Sequence, residues 1–343
     1  MKCVHCYSHS HNREYSGELS AAEGRKLIED LSRFGSPVIL FSGGEPLLRK
    51  DLLEWGALAT ERGMRAVISS NGTLITPQRA RDLKGIGLSY VGVSLDGMRE
   101  TNDRFRGVSG AFDAALQGIR NCQNAGIKVG PRFTINRRNA ADIPQIFDLI
   151  EEENIPRICF YHLVYAGRGS ALIREDLDGQ ETRGVVNLII DRTENLHRRG
   201  KAVEVLTVDN HADGPYLYLR MKKEGSPRAD EVLELLRMNG GNSSGVGIGC
   251  VSWDGRVHAD QFWRHYSFGT VRERPFSEIW EDVSDPVMAK LKEKKKYVTG
   301  RCASCRWLEV CAGNFRVRAE AATGDLWAPD PACYLTEEEI GLG

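Results

Sequence analysis

The cysteines carry the sharpest chemical signal in this chain of 343 residues. Cys3 and Cys6 are separated by two residues, so their thiolates can hold one metal site. Four more cysteines near the other end follow the spacing C-x2-C-x5-C-x21-C: Cys302, Cys305, Cys311 and Cys333. Four thiolates at this spacing are a full ligand set for a [4Fe–4S] cluster, and a structural zinc ion is the alternative. The sequence therefore predicts a metal site at each end.

The remaining three cysteines have different interpretations. An odd total of nine in a long chain argues against a disulfide framework and favours metal ligation. Cys122 and Cys159 lie in helix and strand patterns typical of core residues. Cys250 is either a fifth, replaceable metal ligand or a buried thiol, and the buried thiol is the preferred interpretation. The x5 interval is unlike the paired C-x-x-C of zinc ribbons, which favours iron–sulfur at the second site.

A Gly43-Gly44-Glu45-Pro46 turn follows the apolar run 37–41. The glycines let the backbone approach a ligand closely, and the Glu45 carboxylate can accept hydrogen bonds from an ammonium group. Its position directly after an apolar strand places the turn at the carboxyl end of that strand. The turn is therefore predicted to bind a small cationic ligand.

Short apolar strands alternate with amphipathic helices through the first half of the chain. A capping box at Ser20 and Glu23 begins the first helix and Gly35 ends it. Strands are predicted at 38–41, 65–69, 90–94, 128–135 and 157–163, separated by helices at 52–62, 77–86, 111–125 and 143–153. This alternation predicts parallel strands with right-handed crossovers, so that the polar turns after the strands share one face.

Taken together, C-x-x-C, GGEP and the strand–helix alternation resemble the radical S-adenosylmethionine (SAM) superfamily. The resemblance implies an α/β fold: a partial (β/α)6 TIM-like barrel with a small C-terminal α+β iron–sulfur extension. It also implies SAM and two [4Fe–4S] clusters as cofactors. By this resemblance Cys3 and Cys6 would be metal ligands of the catalytic cluster, and Asp96 would belong to the catalytic S-[IL]-D-G motif. The SAM-binding residues would be His5, Gly43, Gly44, Glu45, Ser70, Asn71, Ser94, Arg132 and Arg168. For Ser94 and Asp96 a locally capped turn remains an equal interpretation.

The family motif C-x-x-x-C-x-x-C has a further cysteine, which the spacing places two residues before Met1. The expectation is an amino-terminal truncation. The alternative is a protein that lacks the cluster. As printed, the chain is not expected to hold an intact SAM-binding cluster, which leaves the activity of this chain open.

The C-terminal part resembles the SPASM/twitch extension of radical SAM enzymes. Cys250 to His258 reads as a hairpin with an Asp-Gly turn, and Phe268-Gly269 and 276–280 follow it. The predicted domains are 1–205 for the barrel, 206–245 for a bridging and substrate region, and 246–343 for the cluster extension. In the bridging region 207–216 is either a binding loop or a capped turn that opens a helix.

The whole chain further resembles the haem-biosynthesis branch of this superfamily, in the stretches 41–53, 161–169, 210–220, 239–245 and 330–335. The resemblance implies removal of acetate side chains from 12,18-didecarboxysiroheme to give Fe-coproporphyrin III. The alternatives are removal of propionates in haem d1 biosynthesis, a SPASM peptide maturase, or a non-catalytic iron–sulfur or tetrapyrrole-binding protein. A flat iron tetrapyrrole with carboxylates needs cationic and aromatic partners, with His211, His258 or His265 as candidate iron ligands. The candidate substrate residues are His211, Tyr216, His258, Trp263, Arg264 and His265.

Charge and hydropathy limit the classes of partner that the chain can have. With 46 basic and 47 acidic residues, nothing indicates a nucleic-acid or anionic-membrane partner. No apolar run approaches the length of a membrane span, so a cytoplasmic location is the expectation. An electron donor such as ferredoxin or flavodoxin is implied by the resemblance.

Overall fold

The computed structural model describes residues 1–11 and 15–342. Six parallel strands form one sheet whose spatial order follows the chain: β1 Val38–Phe41, β2 Arg65–Ser70, β3 Tyr90–Ser94, β4 Val129–Ile135, β5 Arg157–His162 and β6 Glu204–Val208. Among the described residues β1 and β6 remain the two edges, so the sheet is an open, partial barrel. The predicted α/β fold with a partial TIM-like barrel is confirmed.

Helices connect and cover these strands. They are α1 Ala21–Phe34, α2 Leu52–Glu61, α3 Pro77–Gly85, α4 Arg99–Arg106, α5 Ala111–Asn124, α6 Ile143–Glu152, α7 Gly179–Arg198, α8 Asp213–Lys223 and α9 Ala229–Asn239. Because every strand runs in the same direction, all the loops that leave the carboxyl ends of the strands lie at one edge of the barrel. That edge is where residues distant in sequence can form a site.

The local signals act as the sequence predicts. The Ser20 side chain accepts from Glu23 N and the Glu23 carboxylate accepts from Ser20 N, which completes the capping box of α1. Gly35 ends the helix in the left-handed region with a φ of 85°. The face of α1 that carries Ile28 packs into the main core of the barrel, where Ile28 is 1% exposed. Burial of that face, more than helix propensity, holds α1 in place.

Two elements differ from the sequence prediction. Strand β6 (Glu204–Val208) spans the predicted domain boundary at 205/206, so part of the predicted bridging region belongs to the sheet. Helix α4 (Arg99–Arg106) was not predicted, because most of its residues are polar and few of its side chains are buried, so it shows no apolar periodicity. Asn102, Phe105 and Arg106 are the buried residues of α4, and Gly107 ends it.

The C-terminal extension begins with the predicted hairpin. Strands β7 Cys250–Val251 and β8 Val257–His258 pair antiparallel around the Asp254-Gly255 turn. Short helices follow: α10 Phe276–Glu281, α11 Pro286–Lys292, α12 Gly300–Ala303, α13 Leu308–Cys311, α14 Arg316–Thr323 and α15 Glu337–Ile340. No helix in the described residues is both long and apolar enough to cross a membrane.

Polar contacts attach the extension to the barrel at several points. The Asp30 carboxylate on α1 accepts from Ser277 Oγ at 2.8 Å and from Ser277 N at 3.0 Å. On the other side, Asp213 accepts from Tyr334 OH at 2.9 Å and pairs with His162 Nε2 at 2.9 Å, all three side chains being buried. These contacts join the extension to α1, β5 and α8.

Candidate active site

The Glu45 carboxylate is the centre of the loop that follows β1. It accepts from Ser70 Oγ at 2.8 Å, from Asn71 N at 2.8 Å and from Leu47 N at 3.1 Å. Burial raises the pKa of Glu45, and these hydrogen bonds oppose that rise. Gly43 has a φ of 121°, a conformation open to glycine. The carboxylate is therefore held rigidly and has no cationic partner in the described residues, which is the environment that an ammonium ligand needs.

The segment with Cys3 and Cys6 is held by the loop after β5. Arg168 donates from Nε to Cys3 O at 2.7 Å and from Nη1 to Ser10 O at 2.8 Å, while its N–H donates to Cys6 O at 3.0 Å. Gly167 has a φ of 57°, and a Cβ there would lie 2.4 Å from Tyr7 O. The structure thus places the Arg168 guanidinium on the cysteine loop itself, where it fixes the direction of the thiols.

Helix α4 contacts the same loop from the opposite side. Lys2 N donates to Arg106 O and Val4 N donates to Phe105 O, at 3.3 and 3.1 Å. The His5 ring stacks on Phe105 with 4.7 Å between ring centroids. Burial lowers the pKa of His5 to about 4, so its imidazole is neutral at pH 7. The last turn of α4 is therefore a platform for residues 2–5.

Asp96 and Arg106 form a buried ion pair behind Cys3. The Asp96 carboxylate is unexposed; it accepts from Arg106 Nη2 and from Thr134 N, the latter at 2.8 Å. Arg106 Nη1 lies 3.6 Å from Cys3 Sγ. Asp96 thus reaches the cysteine loop through Arg106 and also directly, since His5 Nε2 lies 3.5 Å from Asp96 Oδ2. Sequence reasoning missed Arg106, and the signal available was Phe105-Arg106-Gly107 at the end of a short polar helix.

The second thiol has its own donors. Ser8 Oγ and Ser10 Oγ lie 3.2 and 3.3 Å from Cys6 Sγ. Burial alone would raise the pKa of the Cys6 thiol, but the hydrogen bonds from Ser10 and Ser8 lower it overall. A thiol favoured as thiolate is a competent ligand for a soft metal.

Arg132 points into the barrel from β4. Its guanidinium lies 4.5 Å from the centroid of the Tyr161 ring, and its side chain passes over Gly92, where a Cβ would lie 2.5 Å from Arg132 Cδ. In the described residues it forms no ion pair. Ser94 is its neighbour in the register of β3 with β4. The pair is close to the barrel interior, as expected for residues that contact an anionic group of a bound ligand.

Asp209 is a buried residue that directly follows β6. From the sequence it was part of the candidate binding loop 207–216 and was not singled out as a site residue. It is 6% exposed, has a φ of 68°, and accepts no hydrogen bond from the described residues. Burial raises its pKa from 3.8 to about 7, with the nearby charges of Arg318 and Arg132 acting in the opposite direction. The adjacent Asn210 instead accepts from Asn314 Nδ2 at 2.7 Å, which attaches this loop to the extension.

Asp209 gives a prediction for the pH dependence of stability. Because its folded pKa lies above the unfolded value, the folded state binds more protons, and stability falls as pH rises from about 4 to about 7. Each pKa unit corresponds to 1.36 kcal/mol, so Asp209→Asn is expected to be up to roughly 4 kcal/mol more stable than the parent at pH 8 and similar to it near pH 4. Urea unfolding at both pH values measures this. The exposed Asp230→Asn is the control, with changes below about 0.5 kcal/mol; equal behaviour of the two variants would contradict the prediction.

The four C-terminal cysteines come from three separate segments. Cys302 and Cys305 flank the end of α12, Cys311 ends α13, and Cys333 precedes Tyr334. Burial raises the pKa of Cys311 well above its ordinary value, and the nearby thiols of Cys333, Cys302 and Cys305 add to that rise. In residues 1–11 and 15–342 no three His, Cys, Asp or Glu side chains already converge as ligands of one metal ion.

The surroundings of these thiols fit an iron–sulfur cluster. Trp307 N donates to Cys305 Sγ at 3.4 Å. Burial raises the pKa of Cys302 and of Cys333, and hydrogen bonds from backbone N–H groups act in the opposite direction. Gly241 approaches Cys311 so closely that a Cβ would lie 2.4 Å from Cys311 O. Backbone donors to sulfur and a dry, tightly packed shell are features that tune such clusters. Cys250 lies in strand β7, opposite His258, and burial raises the pKa of its thiol to about 11.

A cavity of about 620 Å³ lies between the cysteine loop and the extension. This volume is within the usual range of ligand pockets. Its lining combines aromatic rings with polar and charged side chains: Tyr7, Trp253, Phe262, Arg256, Arg264, His265 and Glu320. Arg256 pairs with Asp254, whereas Arg264 forms no ion pair among the described residues and donates to Ser252 Oγ at 3.3 Å. Arg264 therefore has a charge available for an anionic ligand.

Of the predicted substrate residues, Arg264 and His265 line this cavity and the other four lie elsewhere. Both ring nitrogens of His258 are engaged, with Ser252 Oγ and Tyr266 O at 2.6 Å each. Tyr216 OH donates to Asn187 Oδ1 at 2.8 Å. Trp263 is 1% exposed, and the His211 ring stacks on Phe315 at 5.7 Å. His265 Nε2 lies 3.0 Å from Glu320 Oε2.

Comparison with known families matches two regions of the chain. Residues 1–150 match the family described as "Radical SAM superfamily", and residues 247–306 match "Iron-sulfur cluster-binding domain", or SPASM. Among relatives, Fe-coproporphyrin III synthase of Methanosarcina barkeri is 68% identical over 99% of this chain and 86% of its own length. Pre-heme d1 synthase of Dinoroseobacter shibae is 43% identical over 99% of this chain and 85% of its own length.

Solved structures share the fold. Streptococcus suis SuiB bound to its precursor peptide SuiA has a TM-score of 0.76 at 18% identity, covering 97% of this chain and 73% of that one. The structure described as native anSMEcpe with bound AdoMet has a TM-score of 0.73 at 17% identity, covering 99% and 92%. The fold, the Glu45 loop, both groups of cysteines and the relatives agree: this chain belongs to the radical SAM superfamily, as an enzyme of its SPASM-containing, haem-biosynthesis branch that uses SAM and two [4Fe–4S] clusters.

Proposed function

We propose that this chain removes the two acetate side chains of 12,18-didecarboxysiroheme to give Fe-coproporphyrin III. The observation that carries the proposal is the 68% identity to Fe-coproporphyrin III synthase along nearly the whole chain, against 43% to pre-heme d1 synthase. The cavity supports it, because aromatic rings beside arginines suit a flat, anionic macrocycle. An external one-electron donor, such as ferredoxin or flavodoxin, belongs to the same proposal.

Each group of site residues has a separate role in this proposal. Cys3 and Cys6 would hold the cluster that binds SAM, with Arg168 and Arg106 fixing their loop. Glu45 would receive the SAM ammonium group, and Arg132 the SAM carboxylate, inside the barrel. When bound, these cofactors supply a 5′-deoxyadenosyl radical for hydrogen abstraction from a substrate side chain. The protein orients the tetrapyrrole beside that position and keeps water out.

Arg264 is the group that we assign to a substrate carboxylate. Loss of a hydrogen bond to a charged group costs about 1.5–3 kcal/mol, so Arg264→Gln is expected to raise the apparent KM for the tetrapyrrole roughly ten- to hundredfold. SAM cleavage without substrate is expected to stay at the parental rate. Arg274→Gln, which removes a surface partner of Asp282, is the control with an unchanged KM. Equal KM values for the two variants would remove Arg264 from the substrate site.

The function is tested on anaerobic protein reconstituted with iron and sulfide, using the printed chain and a version extended by the codons upstream of Met1. The assay supplies SAM, dithionite and didecarboxysiroheme, and mass spectrometry follows the product. Loss of two acetate groups supports the proposal, whereas loss of propionates would establish the haem d1 reaction instead. Deoxyadenosine formation without change of the tetrapyrrole in either version would refute it and favour a peptide substrate.

A further inference from the structure

Arg316 is a charged residue buried against the auxiliary cysteines. It opens α14 and none of it is exposed. Its guanidinium donates from Nη1 to Ala328 O at 2.6 Å and Leu326 O at 3.2 Å, and from Nη2 to Gly313 O. The buried Nε has no hydrogen-bond partner among the described residues. Since fully buried arginines are almost always paired, an arginine held only by neutral carbonyls requires explanation.

Arg318, two residues further along α14, is a buried arginine whose charge is neutralised by a carboxylate. It is equally unexposed, but Nε and Nη2 donate to the two oxygens of Asp330 at 2.8 and 3.0 Å. Asp330 also accepts from Phe315 N and Ala332 N, at 2.8 and 2.9 Å. The Asp330 carboxylate is thus committed to Arg318 and to the backbone. The charge of Arg316 has no comparable partner in the described part of the protein.

Arg316 is attached to the turn that follows one of the auxiliary cysteines. Its acceptor Gly313 lies two residues after Cys311 in the turn that follows α13. Burial lowers the pKa of Arg316, while the charges of Asp330, Cys302 and Cys311 act in the opposite direction. A cluster bound by these cysteines would therefore lie near a buried positive charge that no carboxylate of the described residues pairs with.

We propose that Arg316 is the built-in counter-charge of the auxiliary cluster and raises its reduction potential. Adding one electron makes the cluster more negative, and a fixed positive charge in a dry environment stabilises that reduced form. The carbonyls of Gly313, Leu326 and Ala328 hold the guanidinium in place without cancelling its charge. The inference goes beyond the proposed function, because it concerns the cluster and holds for any substrate.

The test is an EPR-monitored redox titration of the auxiliary cluster. A Cys3→Ser/Cys6→Ser background removes the signal of the other cluster. In this background Arg316→Gln is expected to change the ratio of reduced to oxidised cluster at least tenfold towards oxidised, a fall in potential of about 59 mV for one electron. Arg316→Lys, which keeps the charge, is expected to change that ratio less than twofold. Arg306→Gln, an exposed arginine beside Cys305, is the matched control, because water screens its charge.

Each outcome decides the inference. A fall in Arg316→Gln alone supports it, and iron and sulfide contents equal to the parent confirm that the cluster is intact. An unchanged potential in Arg316→Gln, or equal shifts in Arg316→Gln and Arg306→Gln, would overturn it. If Arg316→Gln assembles no cluster, the lysine variant decides: a cluster at the parental potential supports the charge, and a lysine variant without cluster shows that only the hydrogen bonds matter.

Discussion

Glu45→Gln is expected to weaken SAM binding about 100- to 4000-fold. Removing one partner of a buried charge pair costs roughly 3–5 kcal/mol, and every 1.4 kcal/mol is tenfold in affinity. The glutamine keeps the size of the side chain, but its amide NH₂ would face at least one of the donors Ser70 Oγ, Asn71 N and Leu47 N. Equilibrium dialysis of reconstituted protein measures the affinity, and deoxyadenosine formation should fall with it.

The control for this prediction is Glu54→Gln. Glu54 is an exposed residue of α2 that pairs with Arg25 on the surface, so its loss changes charge equally without touching the ligand. Iron content should be the same in both variants, because neither residue is a cluster ligand. A Glu45→Gln protein that binds SAM as tightly as the Glu54→Gln protein would exclude Glu45 from the amino-group site.

Cys311→Ala is expected to remove the auxiliary cluster, with a loss of about four irons per chain. Cys311 is one of the four cysteines at the predicted ligand spacing, and the three that remain are not a full ligand set. Conversion of the tetrapyrrole should be lost while SAM cleavage persists, if the auxiliary cluster exchanges an electron with the substrate radical. Iron and sulfide analysis, absorbance and product formation measure these effects.

Cys122→Ala provides the matched control, since Cys122 is an unexposed thiol in the core of the barrel on α5. It should keep all of its iron and lose about 1 kcal/mol of stability. A parent protein with one zinc per chain and no auxiliary iron would instead establish the zinc alternative. Full tetrapyrrole turnover in Cys311→Ala would remove any electron-transfer role of the cluster.

Much of the barrel could be predicted because its signals are local. The capping box at Ser20, the apolar runs of β1 to β5 and the turn at Gly43 to Glu45 each act over a few residues. The Asp254-Gly255 hairpin is of the same kind. Helix α4 escaped prediction because its residues are mostly polar and the cysteine loop that it contacts is about 100 residues away in sequence, a separation over which local sequence patterns carry no signal. Strand β6 escaped prediction because it is a partly exposed edge strand that is defined by pairing with β5, over 40 residues earlier.

The sequence by itself determined the chemistry available to this protein: two groups of thiolates, a carboxylate on a glycine turn, and the superfamily that combines them. Spacing along the chain is enough for this, because metal ligation and close backbone approach depend on residue type and short separations. Only the tertiary structure decided which charges are neutralised. Arg106 lies against Asp96 and Cys3, and Arg318 against Asp330, whereas Arg316 is left without a carboxylate. Such partners are distant in sequence, so the sequence does not reveal which charges lie together. The strength of each charge interaction also depends on burial in a low-dielectric interior, which only the folded structure shows.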